Sequence, residues 1–214
     1  MISKSDVRAF LEGEGAKVVG FAAIPDEVEI LELNERFPRA VVFGYRLSDP
    51  VLESIADRPT LIYKHHYKTV NWLLDQAAFR LVVFLEAAGH HALAIPASQT
   101  VDWQNQKGHI SHKRLAFEAG IGWIGRSSLV VHLDHGARIR YVSVLTDWEF
   151  EPDRKLERDC GTCAKCVAAC PARAIAKDGV DLKACLAKLK EFAGLPGIGQ
   201  FICGICVKAC NGRN

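Results

Sequence analysis

The first 159 residues contain no cysteine, although the 214-residue chain has eight. That absence excludes a disulfide-stapled fold for most of the chain, and it marks a change of composition at a domain boundary. Long apolar runs are missing too. No stretch approaches the ~20 consecutive apolar residues of a membrane-spanning helix. Charge of one sign is scarce: the formal net charge is +2, with −2 over residues 1–150 and +4 over 151–214. A balance so even gives no acidic tail and no basic stripe for nucleic acid. The opening "MISKSDVRAFLEGEGAKVVG" lacks the apolar core of a signal peptide and carries Asp6, Glu12 and Glu14. Together these absences predict a cytoplasmic protein without membrane contact. Thiols are kept reduced there, so clustered cysteines read as metal ligands or redox groups.

The periodicities predict a layered domain over residues 1–150. A helix is expected over 5–14 with Ser5 as its N-cap, and a longer one over 69–89 stopped by Gly89. A third covers 110–119, with Gly120 at its stop. "KVVGFAA", "RAVVFGYRL" and "HALAIP" read as strands, and "SLVVHL" with "RIRYVSVLT" as a strand pair joined by "DHGA". Strands mixed with helices give an α/β or α+β class. The polar segment "DWEFEPDRKLERD" reads as the linker to a second domain over 151–214. There, Pro171 is expected to open a short helix, "PARAIA", and Asp181 to cap "LKACLAKLKEF".

Cys160, Cys163, Cys166 and Cys170 are spaced C-x2-C-x2-C-x3-C, with Pro171 following. This is the bacterial ferredoxin rhythm for [4Fe–4S] clusters. Two-residue gaps let three thiolates wrap three corners of one cube, and the fourth cysteine points to a neighbouring cluster. Cys203, Cys206 and Cys210 repeat the later part of the rhythm, and Cys185 stands in for the missing first position. Crossed ligation then predicts one cluster on Cys160, Cys163, Cys166 and Cys210 and another on Cys170, Cys185, Cys203 and Cys206. Zinc is the competing reading. It prefers two separated C-x2-C pairs and fits a continuous run of four poorly.

The segment "HKRLAFEAGIGWIGRSSLVV" encloses Trp123 among Gly120, Gly122 and Gly125. Taken alone, it reads as a helix stop and a tight turn into a strand. It is not a dinucleotide fingerprint, because the helix precedes the strand. A-G-I-G-W-I-G-R-S, then "VLTD", then the C-x2-C-x2-C-x3-C-P module with a late C-x2-C-x3-C resembles the epoxyqueuosine reductase family. The resemblance covers most of residues 60–210. It implies a cobalamin-binding, nitroreductase-like α/β domain followed by a two-cluster ferredoxin-like domain, with the clusters feeding electrons to cobalt. Reductive dehalogenases share that design more distantly.

By the same resemblance, Gly122, Trp123, Gly125, Arg126 and Ser127 are candidate contacts of the corrin. Ser98 and Gln99 follow an expected strand end, where ligands often sit, and are further candidates. Gln106 stands where the family has its catalytic acid and His112 where it has a glutamate, so His112 is the candidate proton donor or cobalt ligand. The chain ends four residues after Cys210, where the family continues into a helical-repeat domain that helps hold tRNA. A small or nucleoside-like substrate is therefore expected rather than tRNA, with a ferredoxin- or flavodoxin-type electron donor. Three readings stay open: a cobalamin-dependent reductase, an electron-transfer or corrinoid-handling protein, and a ferredoxin fusion with no corrinoid.

Overall fold

The computed structural model describes residues 2–33 and 37–212. In chain order the elements are α1 (Lys4–Gly13), β1 (Val18–Ala23), β2 (Arg39–Arg46), α2 (Asp49–Glu53), α3 (Leu61–Ala87), β3 (Ala92–Ile95), α4 (His112–Glu118), β4 (Trp123–Ile124), β5 (Val130–Val131), β6 (Ile139–Thr146), α5 (Lys165–Ala169), β7 (Ile175–Ala176), β8 (Gly179–Val180), α6 (Leu182–Ala193) and α7 (Ile205–Ala209). The fold is mixed α/β.

Four strands form the main sheet in the order β1-β2-β6-β3. β1 runs antiparallel to β2 with Val18 opposite Gly44, and β3 antiparallel to β6 with Ala92 opposite Thr146. β1, β2 and β6 are buried almost throughout, as expected of a sheet covered on both faces. Phe21, Phe43 and Leu145 are fully enclosed. α1 buries Val7 and Leu11 and stacks Phe10 on Phe84 of α3, with ring centroids 4.7 Å apart.

By contact, the chain forms two compact units. One comprises residues 1–45, 71–121 and 140–156; the other comprises 46–70, 122–139 and 157–214. The first holds most of the main sheet with α1 and α4. The second holds α2, the start of α3, the β4–β5 and β7–β8 hairpins, and α5 to α7.

Several sequence expectations need correction. α1 starts one residue early because Ser3, not Ser5, is its cap: Ser3 Oγ accepts from Asp6 N–H, and Asp6 reaches back to Ser3 N–H. α3 begins at Leu61, eight residues ahead of the expected start, with Thr60 Oγ1 accepting from Tyr63 N–H. β5 does not pair with β6. Both edges of β6 are taken by β2 and β3, and β5 pairs with β4 instead. Pro171 opens no helix; the chain turns there into the β7–β8 hairpin, and the helix lies before it. The expected strands β1, β2 and β3 are present, as is α6 with its Asp181 cap. Gly120 stops α4 at φ +64°. Among the described residues no helix is long and apolar enough to cross a membrane.

Candidate metal-cluster centre

All eight cysteines belong to the second unit. Two short helices carry the central pairs. α5 bears Cys166 and ends at Cys170; α7 bears Cys206 and ends at Cys210. The two helices pack on each other. Each terminal cysteine donates its N–H to the carbonyl three residues back, at 3.3 Å in both. The loop before α5 is tightened by Asp159 Oδ1, which accepts from Gly161 N–H at 2.6 Å, and by Cys163 N–H donating to Cys160 C=O at 2.9 Å. Cys185 enters from α6.

The thiols fall into two neighbourhoods. Burial pushes the Cys166 thiol up, and Cys210, Cys160 and Cys163 push it further. Cys210 is raised by burial and by Cys160 and Cys163, while the N–H groups of Ala137 and Gly212 oppose the shift. In the other neighbourhood burial raises Cys206 to about 12, with Cys203, Cys185 and Cys170 next in weight and Cys166 last. Burial likewise raises Cys203 to about 11, assisted by Cys185 and Cys170. Cys203 and Cys206 keep some accessible surface, but the protein packed around them sets these shifts. Crossed ligation would draw on the same two groups of four.

Cys160, Cys163, Cys166 and Cys210 line one small enclosed cavity together with Trp123 and Arg126. A wider, open cleft of about 1080 Å³ shares Trp123, Cys160, Cys163, Lys165 and Gly212 with it and adds Glu157, Arg158 and Thr162. Among the described residues no three His, Cys, Asp or Glu side chains are arranged to hold a single metal ion.

The glycine loop is built into this centre. A Cβ on Gly125 would lie 2.6 Å from Val131 Cγ2 and 3.3 Å from Cys160 Sγ, so only glycine lets β4, β5 and the first cysteine come together. Gly122 passes as closely to the Val131 carbonyl, 2.3 Å from where its Cβ would stand. Arg126 donates to three carbonyls of the cysteine-bearing segment: Gly161 at 2.6 Å, Lys177 at 2.7 Å and Cys163 at 3.0 Å. Ser127 lines the enclosed cavity. Thus Trp123 faces both spaces, while Gly122, Gly125 and Arg126 are engaged with protein neighbours.

A polar network that the sequence did not announce fixes α7. Arg138 bonds Asp49 at 2.8 Å and the Lys208 carbonyl at 2.5 Å, and Lys208 Nζ donates to the Ile55 carbonyl at 2.7 Å. The partners lie about 70 to 150 residues apart, so no local pattern carries the signal.

His112, Ser98 and Gln99 lie in the first unit. His112 Nε2 is 2.9 Å from the Pro96 carbonyl and Nδ1 is 2.9 Å from Ser143 Oγ. A carbonyl only accepts, so Nε2 carries the proton and Nδ1 accepts from the hydroxyl. Burial lowers the His112 pKa to about 4, and nearby Arg140 and His109 add to the shift. The ring is therefore neutral at pH 7, with both nitrogens engaged. Arg140 also donates to the Ala97 carbonyl at 3.2 Å, and Asp75 accepts from Ala97 N–H at 2.7 Å. The backbone leading into Ser98 and Gln99 is thus held by three side chains.

Comparison with known proteins agrees with this architecture. No family model matches the chain. Over 112 residues it is 33% identical to the epoxyqueuosine reductase of Bacillus anthracis, covering 48% of this chain and 30% of that one. The chain is similar to the epoxyqueuosine reductases. The matched segment spans under a third of that relative's length. A crystal structure of an epoxyqueuosine reductase with an epoxyqueuosine-modified tRNA-Tyr stem loop superposes with a TM-score of 0.65 at 19% identity, over 97% of this chain and 64% of that one. A reductive dehalogenase described in terms of B12-dependent dehalogenation superposes with a TM-score of 0.76 at 20% identity, over 95% of this chain and 30% of that one. At these identities the structural likeness is one of fold. The named relatives are reductases, and a redox role for this chain accords with them.

Proposed function

We propose that the chain is an iron–sulfur oxidoreductase that holds two [4Fe–4S] clusters and passes their electrons to a bound corrinoid for a reductive reaction. One cluster takes Cys160, Cys163, Cys166 and Cys210, and the other takes Cys170, Cys185, Cys203 and Cys206. The observation that carries this reading is the convergence of the first four thiols on one enclosed cavity, with the other four in a neighbourhood of their own. Thiolate is the donor iron–sulfur clusters use. The continuous C-x2-C-x2-C-x3-C run suits a cluster better than zinc, which favours separated pairs. The two clusters occupy the 151–214 segment, and residues 1–150 supply the larger domain.

The open cleft, about 1080 Å³, stands at the upper end of the range of small-molecule and cofactor pockets, and it is the space proposed for the corrinoid. Trp123, Thr162 and Lys165 would hold its face and its amide-bearing edge. A corrinoid, when bound, supplies a cobalt centre that is a strong nucleophile and reductant at low potential. The chain's own residues set the stage. Gly122 and Gly125 allow the loop to close on Cys160. Arg126 pins the cysteine-bearing segment to that loop. In the first unit, His112 acts by fixing the Pro96 carbonyl, a positioning role that replaces proton donation because its donor N–H is already engaged.

Anaerobic reconstitution with iron and sulfide tests the cluster assignment. About eight irons per chain are expected; zinc, or far less iron, overturns it. Titration of the reconstituted protein with cobalamin tests the acceptor. A changed visible spectrum on binding, and again on adding dithionite, is expected; an unchanged spectrum leaves an electron-transfer protein. That second reading draws on the mixed charges of the cleft, where Glu157 and Asp159 lie beside Arg158 and Lys165, a surface suited to a ferredoxin- or flavodoxin-type partner. Binding of an epoxyqueuosine-modified stem loop, set against a free nucleoside, decides between tRNA and a small substrate.

A further inference from the structure

Trp123 is 4% exposed, and its Nε1–H has no hydrogen-bond partner. Buried donors are rarely left unmade in native proteins, so this one points to a ligand. Indole only donates, so the missing partner is an acceptor. Trp123 lines the enclosed cavity on which Cys160, Cys163, Cys166 and Cys210 converge, and it alone of the chain's four tryptophans does so. A cluster seated on those thiols would bring sulfur acceptors into that cavity. The ring is fixed there by β4, whose Trp123 pairs with Val131, and by the Arg126 clamp three residues on.

Resting on the cluster reading above, we propose that Trp123 Nε1–H donates a hydrogen bond to sulfur of the cluster held by Cys160, Cys163, Cys166 and Cys210, and so raises that cluster's reduction potential. Reduction adds negative charge to the sulfurs. A donor aimed at them therefore stabilises the reduced form more than the oxidised one. The other three tryptophans, Trp72, Trp103 and Trp148, belong to the first unit. The effect is selective for one cluster of the two. Trp123 is a positioning and tuning residue, and its signature is a potential rather than a rate.

The test is a redox titration followed by electron paramagnetic resonance on the full chain, reconstituted anaerobically, comparing wild type with Trp123→Phe. The expected result is equal iron content, with one midpoint moved to more negative potential by about tenfold in the reduction equilibrium, or about 59 mV for one electron, and the other midpoint unmoved. Unmoved midpoints at equal iron content overturn the proposal while leaving the clusters standing. Wild-type protein that takes up no iron overturns the cluster reading and this proposal with it. Should the variant fail to load, wild-type protein labelled with nitrogen-15 in its tryptophans gives an independent readout. Pulsed resonance on the reduced protein is expected to show a nitrogen-15 coupling, and its absence overturns the proposal.

Discussion

The two groups of thiols are built on nearly the same helix and end in different surroundings. α5 with its cap reads K-C-V-A-A-C and α7 reads I-C-V-K-A-C, with the same 3.3 Å turn closing each. After the first, Pro171 leads into a hairpin. After the second, Asn211 and Gly212 turn back, Gly212 at φ +79° with the His132 carbonyl 2.4 Å from where its Cβ would stand. The first group sits beside the glycine loop, Trp123 and an open cleft. In both groups burial is the first cause of the raised thiols, and in the second it takes Cys203 to about 11 and Cys206 to about 12. A repeated helix thus sets where the sulfurs go, and the non-repeated surroundings set what their electrons cost. Beside Trp123 and the Arg126 clamp, the first cluster is expected to be the one tuned by hydrogen bonds.

The sharpest way to break this comparison is to remove one thiol at a time. Cys166→Ser and Cys206→Ser should each lower iron from about eight to about four per chain, with loss of different resonance signals. Cys210→Ser decides whether ligation crosses. Although Cys210 caps α7, its loss should remove the same signal as Cys166→Ser. Loss of the Cys206 signal instead would refute the crossed partition.

A smaller effect is expected from Gly125→Ala. The new methyl meets Val131 Cγ2 and Cys160 Sγ in space the fold does not have. Overpacking of this kind costs about 1–3 kcal/mol. Chemical denaturation should show that loss, and the first cluster alone should shed iron faster to a chelator. Equal lability of both clusters would dissolve the distinction between their surroundings. Arg126→Met removes three donors from carbonyls that partly regain water. About 1–2 kcal/mol is expected, again with iron loss confined to the cluster of Cys160, Cys163, Cys166 and Cys210.

What the sequence made legible was local. β1, β2 and β3 appear as apolar runs between turn residues, and Asp181 announces α6 because capping is a short-range bond. Gaps of two residues tie Cys160, Cys163 and Cys166 to one another in the sequence, whereas seventeen residues lie between Cys185 and Cys203, a separation that spacing alone does not bridge. The start of α3 was hidden in "YKHHYK", whose polar residues mask a helix held by Thr60. The β4–β5 pairing was hidden because it depends on β2 and β3 occupying both edges of β6. Arg138 with Asp49, and the unpartnered indole of Trp123, are long-range facts that no window of sequence contains.

The smallest effect on the comparison is expected from His112, in the other unit, which makes it the control. His112 is neutral in the folded protein down to about 4, against the ordinary 6.5. Between those values the unfolded chain binds the proton and the folded one does not, so stability is full above 6.5 and falls as the pH drops through the window. The groups that hold the pKa down after burial are Arg140 and His109, and the Pro96 carbonyl opposes them. Thermal midpoints measured from about pH 7.5 down to about pH 5 should fall for wild type and fall less steeply for His112→Gln, which cannot take up the proton. Iron content and both cluster midpoints should match wild type at pH 7.5. A shifted cluster midpoint in this variant would mean that the two groups of thiols are not tuned by their own surroundings alone.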